Sequence, residues 1–470
     1  MDNRIRLNRE PNMNQAEPSA LWPQLKSVVL PITFQQFMLA AVSMADVLML
    51  GALNQDSLAA VSLATQVQFV FNLIIGALSI GTGMFAAQYW GKGDRDAVEK
   101  IQGYVLRLTL YVSFIFALTT FLFPHTLMRL FVSDASLLYK GAEYLRWASA
   151  SYFFCGISQI LLCILKNCGR AGLAMRISAS ALICNIGLNM ILIFGFFGFP
   201  RLEIAGAALA TVIARIVEFG WAWLETIQPD RVKIRIRHIL HVNRILRDDF
   251  RKYTLPVLGN MLAWGVGLSM TSVIMGHLGT DAAAANSVAS IVKSLVICFG
   301  VGLGSGGSII VGHALGRNEL ELARTYGGKL TRLAAIGGGI SGLLILFLIP
   351  VAQAATTLSV TAEHYLGGMM AFCAFNVIGK AVNGMTIGGI FCAGGDSKFG
   401  FFCDTLTLWG ITVPMGMIAA FLLDWPVIAV YCIVNLDEII KLPAVYWRYR
   451  QYRWVKNLTR NQENSNYEHA

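Results

Sequence analysis

Apolar runs of about 18 to 25 residues recur along the whole chain, parted by short polar stretches, and that length matches one helical crossing of a bilayer. Twelve such runs are expected, beginning near residues 27, 58, 104, 143, 176, 204, 253, 283, 331, 364, 399 and 426. The pattern defines an all-α polytopic membrane protein with twelve transmembrane helices. Taking alternate loops as one side, Lys and Arg crowd into "GKGDRDAVEK", "RVKIRIRHILHVNRILRDDFRK" and "WRYRQYRWVKNLTR", whereas "NQDS", "HLGTD" and "DWP" lack them. By the positive-inside rule both termini are expected in the cytoplasm.

The polar pattern also repeats. "LPITFQQFMLAAVSMADVLMLG" from Leu30 aligns with "LPVLGNMLAWGVGLSMTSVIMG" from Leu255 at a constant shift of 225 positions. At that shift "QYWGKGDRDAVEKIQGYVLRL" meets "HALGRNELELARTYGGKLTRL", and "KNCGRAG" answers "FCAGGDS". Shared glycines and the shared helix-hinge prolines Pro31 and Pro256 argue for duplication more strongly than shared Leu or Val. Each copy has an even number of spans, so the two six-helix lobes form a parallel repeat related by an axis along the membrane normal. The expected divisions are a tail at 1–26, an N-lobe at 27–228, a basic linker at 229–252, a C-lobe at 253–447 and a basic tail at 448–470. The apolar stripe through Leu240, Ile245 and Phe250 suggests that the linker lies on the inner leaflet.

Composition supports the same class. The chain is 56% hydrophobic and only 14% charged, with a mean hydropathy of +0.59. A net charge of +10 would suggest nucleic acid in a soluble protein. Here the basic residues sit in loops and tails, so they act as topology signals and no nucleic-acid partner is expected. Nine cysteines form no C-x-x-C pair, which leaves no disulfide framework or zinc site to propose. The mixed-charge start has no apolar core of a signal peptide and is expected to be a tail. "GLGSGGSIIVG" lacks the Gly-Lys-Ser/Thr ending of a phosphate loop and is assigned to close helix packing. No metalloprotease, nucleophile-elbow or prenyltransferase motif gives an enzyme a foothold, and no cofactor is expected beyond H⁺ or Na⁺ as a coupling ion.

The informative residues are the charges inside apolar runs. Asp46 lies about 30 Å along the first helix from Lys26, in the outer half of the membrane. Asn185 and Asn189 are one turn apart on the fifth helix, at a depth that can face Asp46. A carboxylate beside amide oxygens can take a proton or hold Na⁺, and intramembrane ionisable groups are functional candidates. Neutral helix packing is the competing role. The second copy carries Thr271 in place of Asp46, so coupling is expected in the N-terminal half. Arg215 with Glu218 and Glu438 with Lys441 are three apart on matching helices and are expected to pair as structural or gating groups. Lys380, a turn before Asn383, lacks so close a partner, and Asp404 is the candidate to neutralise it.

These residues resemble the MATE (multidrug and toxic compound extrusion) transporters over about 25 to 455. The resemblance rests on Pro31 with Asp46, "LGALNQDSLAAVSLA", "AAQYWGKGD", "NIGLNMILIFGFFGFPRLEIAGAALATVIAR" and "FCAGGDSKFGFFCDTLTLWGITVP". It implies two six-helix lobes in a V, and antiport of organic cations or drugs against H⁺ or Na⁺. It also implies that Asp46 and Asn185 belong to an N-lobe cation site. This chain departs from many members at Asn189, where they carry Asp, and at Trp264, where they carry Glu. Trp264 is open to two roles, stacking on a flat cation or packing the lobe interior. A monomer in the cell membrane, with drug-like substrates and membrane lipids as partners, is expected. A flippase for lipid-linked sugars is the alternative within transport, disfavoured because Arg215, Lys293 and Lys380 are few cations for a pyrophosphate. A non-transporting receptor or scaffold is the alternative outside it.

Overall fold

The computed structural model describes residues 21–356 and 358–460, so the start of the expected N-terminal tail and residues 461–470 lie outside it. Helices α1 (Leu21–Gly51), α2 (Gln55–Lys92), α3 (Arg95–Leu122), α4 (Ala135–Asn167), α5 (Ala171–Phe194) and α6 (Glu203–Ile227) make the first half. The second half repeats them as α7 (Arg244–His277), α8a (Thr280–Val296) with α8b (Cys298–Gly316), α9 (Leu320–Ala354), α10 (Val360–Phe391), α11 (Ser397–Phe421) and α12. The last is broken into Val427–Val434, Asp437–Ile440 and Leu442–Arg450. Among the described residues, eleven helices are long and apolar enough to span a membrane. The twelfth element, α12, falls outside that count because its breaks leave pieces of 8, 4 and 9 residues, whereas α8, interrupted at Ile297, still supplies Cys298–Gly316.

Capping side chains set several helix starts: Asn54, Asp94, Asp134 and Ser359 each accept a backbone N–H of the first turn. Pro31 follows a π-helical turn at Leu25–Val29, where the Leu30 N–H reaches back to the Leu25 carbonyl. The wide turn accommodates the N–H that proline lacks. Pro256 sits within an unbroken α7.

Two boundaries differ from the sequence expectation, and the basic tail packs where a solvated one was expected. The first helix begins at Leu21 rather than 27, because Leu21 and Leu25 are apolar enough to pack on the second half beside Leu303, Ile310 and Tyr326. The linker ends at Asn243, since Arg244 to Lys252 extend α7 by two turns. Its short helix, Ile236–Leu240, packs on α3 with Arg235 paired to Glu99 at 2.6 Å, while the Ile236 and Leu240 side chains stay exposed; Phe250, on the α7 extension, enters the core. The basic tail likewise folds back: Trp454 is wholly buried, and Gln88 bonds the carbonyl of Lys456 (3.2 Å) and the N–H of Leu458 (2.6 Å).

The halves meet near the end where Leu21 and Arg460 lie. There the glycine face of α8b lies against α1 and α2, Gly302 at Thr33 and Gly316 at the backbone of Gln88, where any Cβ would clash. His313 reaches the Asn167 carbonyl at 2.7 Å across the same seam. The phosphate-loop lookalike is therefore a packing surface. Contacts of α7 with α2 run from Thr254–Gly81 to Gly265–Leu73, and no such close approach is found toward the far end among the described glycines. All nine cysteines are free, and only Cys184 and Cys432 are not fully buried.

Candidate functional site

The first half encloses a cavity of about 500 Å³ between α1, α2, α4, α5 and α6, in the part remote from the seam. Asp46, Gln68, Asn72, Asn185, Asn189 and Arg215 supply its principal polar lining. Asp46 reaches it because Val42 and Leu50, one turn to either side, are buried and fix that face of α1 inward. Asn185 and Asn189 arrive from α5, also one turn apart.

The Asn189 amide donates to Asp46 Oδ1 at 2.7 Å and to Asn185 Oδ1 at 3.3 Å. Its own Oδ1 is buried with no hydrogen-bond partner. The three predicted residues are thus joined in space, and they form a polar patch on the wall of a largely apolar chamber. No Lys, Arg or His nitrogen lies within 4.0 Å of the Asp46 carboxylate among the described residues. Arg215 shares the cavity wall, but its guanidinium is held by Glu218 at 2.8 Å. Glu218 is the anchor of that layer: Ser158 and Ser178 both donate to it, at 3.0 and 3.1 Å, and Gln35 donates to Ser178 at 2.7 Å.

In the second half Lys441 is the hub. It meets Asp404 at 2.9 Å, Glu438 at 3.0 Å and Asp437 at 3.6 Å. The expected Lys380–Asp404 pair does not form, since Asp404 is taken by Lys441 and by the Asn260 amide at 2.8 Å. The break in α12 is the reason: it re-aims Lys441, which helical spacing alone sets only against its own neighbours. The Glu438–Lys441 and Arg215–Glu218 pairs do form. Asn383 donates to Glu438 at 2.9 Å, and Lys380 lies over the Trp264 ring at 5.9 Å.

Sequence reading missed Gln35, Ser158, Ser178, Asn260, Asp437 and Asn435. The repeat could have exposed four of them, because Gln35 and Asn260, and Ser158 and the recognised Asn383, stand 225 positions apart, and Ser178 and Asp404 stand 226 apart. No group of three or more His, Cys, Asp or Glu suited to a metal ion occurs among the described residues.

Comparison with known proteins gives a consistent picture. The MatE family model matches residues 31–191 and 256–441. "Probable multidrug resistance protein YoeA" of Bacillus subtilis is 24% identical, with 96% of this chain and 98% of that protein covered. "Uncharacterized transporter YisQ" of the same organism is 22% identical over 92% and 95%. A solved structure described as the outward-facing conformation of a multidrug resistance MATE family transporter superposes with a TM-score of 0.83, at 18% identity, covering 92% of this chain and 95% of that one.

Proposed function

The chain belongs to the MatE family of multidrug efflux transporters, and we propose that it exports organic cations, drugs or toxic compounds in exchange for H⁺ or Na⁺. The observation that carries this reading is Asp46, the one carboxylate among the described residues lining a chamber of about 500 Å³, held there by the Asn189 amide. An ionised carboxylate resists transfer into a dry arrangement, whereas its protonated or Na⁺-paired form can move. Asp46 therefore binds the ion while the chamber is open, and the neutral form permits the halves to rearrange. The ion biases that equilibrium by its differential affinity for the two states and no more. Sodium would be met by the Asp46 carboxylate with the Asn185 and unpartnered Asn189 oxygens, and a proton by Asp46 alone.

A lipid-linked pyrophosphate finds only repulsion at Asp46 and no free cation among the described residues of that chamber, and Lys293 and Lys380 of the second half are few cations for a pyrophosphate, so the flippase reading is set aside. The protein is placed in the cell membrane as a single subunit with both termini in the cytoplasm, and the chamber then faces outward. Cysteines introduced at Asn54 and Asn464, with the native cysteines replaced, should react from opposite sides of sealed membranes. Reaction from one side would overturn the topology.

The functional test is efflux from vesicles under an imposed H⁺ or Na⁺ gradient. Asp46→Asn should abolish gradient-driven efflux while the protein elutes as a folded species in detergent, because the amide mimics the protonated acid. Wild-type pumping by Asp46→Asn under both gradients would make Asp46 a packing residue.

A further inference from the structure

The repeat sets Trp264 against Leu39, Thr271 against Asp46 and Lys293 against Gln68. The three N-half residues line the chamber. At the same places the second half has lost the carboxylate and gained an indole and an ammonium group. Helix α10 adds a second ammonium group, Lys380, where α4 has Cys155.

The structure gathers these groups. Lys380 Nζ stands 5.9 Å from the Trp264 ring. Lys293 donates to Asn435 Oδ1 at 3.3 Å, and the Asn435 carbonyl accepts from Asn376, one turn before Lys380 on α10. Lys293 also projects from α8a between Ala289 and Val296, which share a core with Cys373 and Val377 of α10. Both lysines and Trp264 remain partly exposed. Among the described residues neither lysine has a carboxylate within 4.0 Å, whereas Asp404, Asp437 and Glu438 are all engaged by Lys441.

We infer that Lys293, Lys380 and Trp264 form a subsite for an organic carboxylate, with the acid between the two ammonium groups and its ring on the indole. Two partly desolvated ammonium groups in a membrane interior are costly unless an anion reaches them. A ligand carboxylate supplies charge-assisted hydrogen bonds that Asn435 supplies only in neutral form. Lys380 at 5.9 Å is a loose occupant of the indole, and a flat ring can take closer contact with it. The inference rests on the efflux reading and extends it: accepted substrates include flat organic acids or zwitterions as well as simple cations.

The test uses the purified full-length protein in detergent and fluorescence anisotropy of two probes, pyrenebutyrate and its primary amide. Wild type should bind the acid about tenfold or more tighter than the amide, the scale of a charged hydrogen bond. Lys380→Met and Lys293→Gln should each reduce that preference, Lys380→Arg should keep most of it, and Trp264→Leu should weaken both probes. If the lysines only balance the acids around Lys441, the variants lose stability and the preference does not change. Equal binding of the probes by wild type, or an unchanged preference in either lysine variant that remains folded, overturns the subsite. Should Lys380→Met fail to give a monodisperse species, Lys293→Gln decides. Asp46→Asn should keep the acid preference, so failure of ion coupling and failure of this subsite are separately visible.

Discussion

The two halves carry the same polar layer on the same four helices and fill it with different charge. In the first, Gln35 of α1 and Ser158 of α4 flank Ser178 of α5 and the Glu218–Arg215 pair of α6. In the second, Asn260 of α7 and Asn383 of α10 flank Asp404 of α11 and the Glu438–Lys441 pair of α12. The first layer is neutral with one acid and one base, which leaves Asp46 outside it as an unmatched anion. The second sets three acids against one lysine, and Lys293 and Lys380 stand outside it with no carboxylate within 4.0 Å among the described residues, where they offset its excess negative charge. Duplication preserved where a polar group must stand, because an empty polar position in a helix-packed interior is costly. It did not preserve the sign of the charges outside the layer, and on the readings proposed above that sign separates the tasks of the two halves.

The largest effect should come from trying to move the anion between halves. Thr271→Asp in an Asp46→Asn background should give no gradient-driven efflux, because Thr271 only bonds back to the Gly267 carbonyl and has no amide pair facing it as Asp46 does. Recovery of efflux in vesicles would break the comparison by making the halves interchangeable.

Next come the two hubs. Lys441→Met strands three carboxylates and should destabilise the protein by about 3–5 kcal/mol. Arg215→Met should cost less, since Glu218 keeps both serine donors. Unfolding in detergent micelles measures both, and Lys441→Met with Asp404→Asn should recover part of the loss. A costlier Arg215→Met would show that the first layer is the more strongly held.

The flanking amides sharpen the comparison at smaller scale. Asn260→Ala removes a hydrogen bond to a carboxylate and should cost about 2 kcal/mol, whereas Gln35→Ala removes one to a hydroxyl and should cost about 1 kcal/mol. Equal losses in the same unfolding measurement would mean that the charge on Asp404 is not felt at Asn260.

The sequence by itself determined the helical class, the duplicated six-helix plan and the three polar residues that meet at Asp46. Apolar length, glycine register and a charge in an apolar run are local signals, and membrane burial enforces them residue by residue. Asp46, Asn185 and Asn189 were legible because helical rise alone sets their depth. The i, i+3 pairs were legible for the same reason, since neighbours on one helix need no tertiary information. The partner of Asp404 was not. Lys380 and Lys441 are both plausible by depth, and the choice depends on the break at Asn435–Leu436 that turns Lys441 across to α11. The return of residues 454–458 over Gln88 was equally hidden, because basic neighbours mark the segment as a solvated tail and only the assembled seam offers Trp454 a site to fill. Contacts between helices depend on rotation and breaks that span-length patterns do not encode, and there the tertiary structure decided.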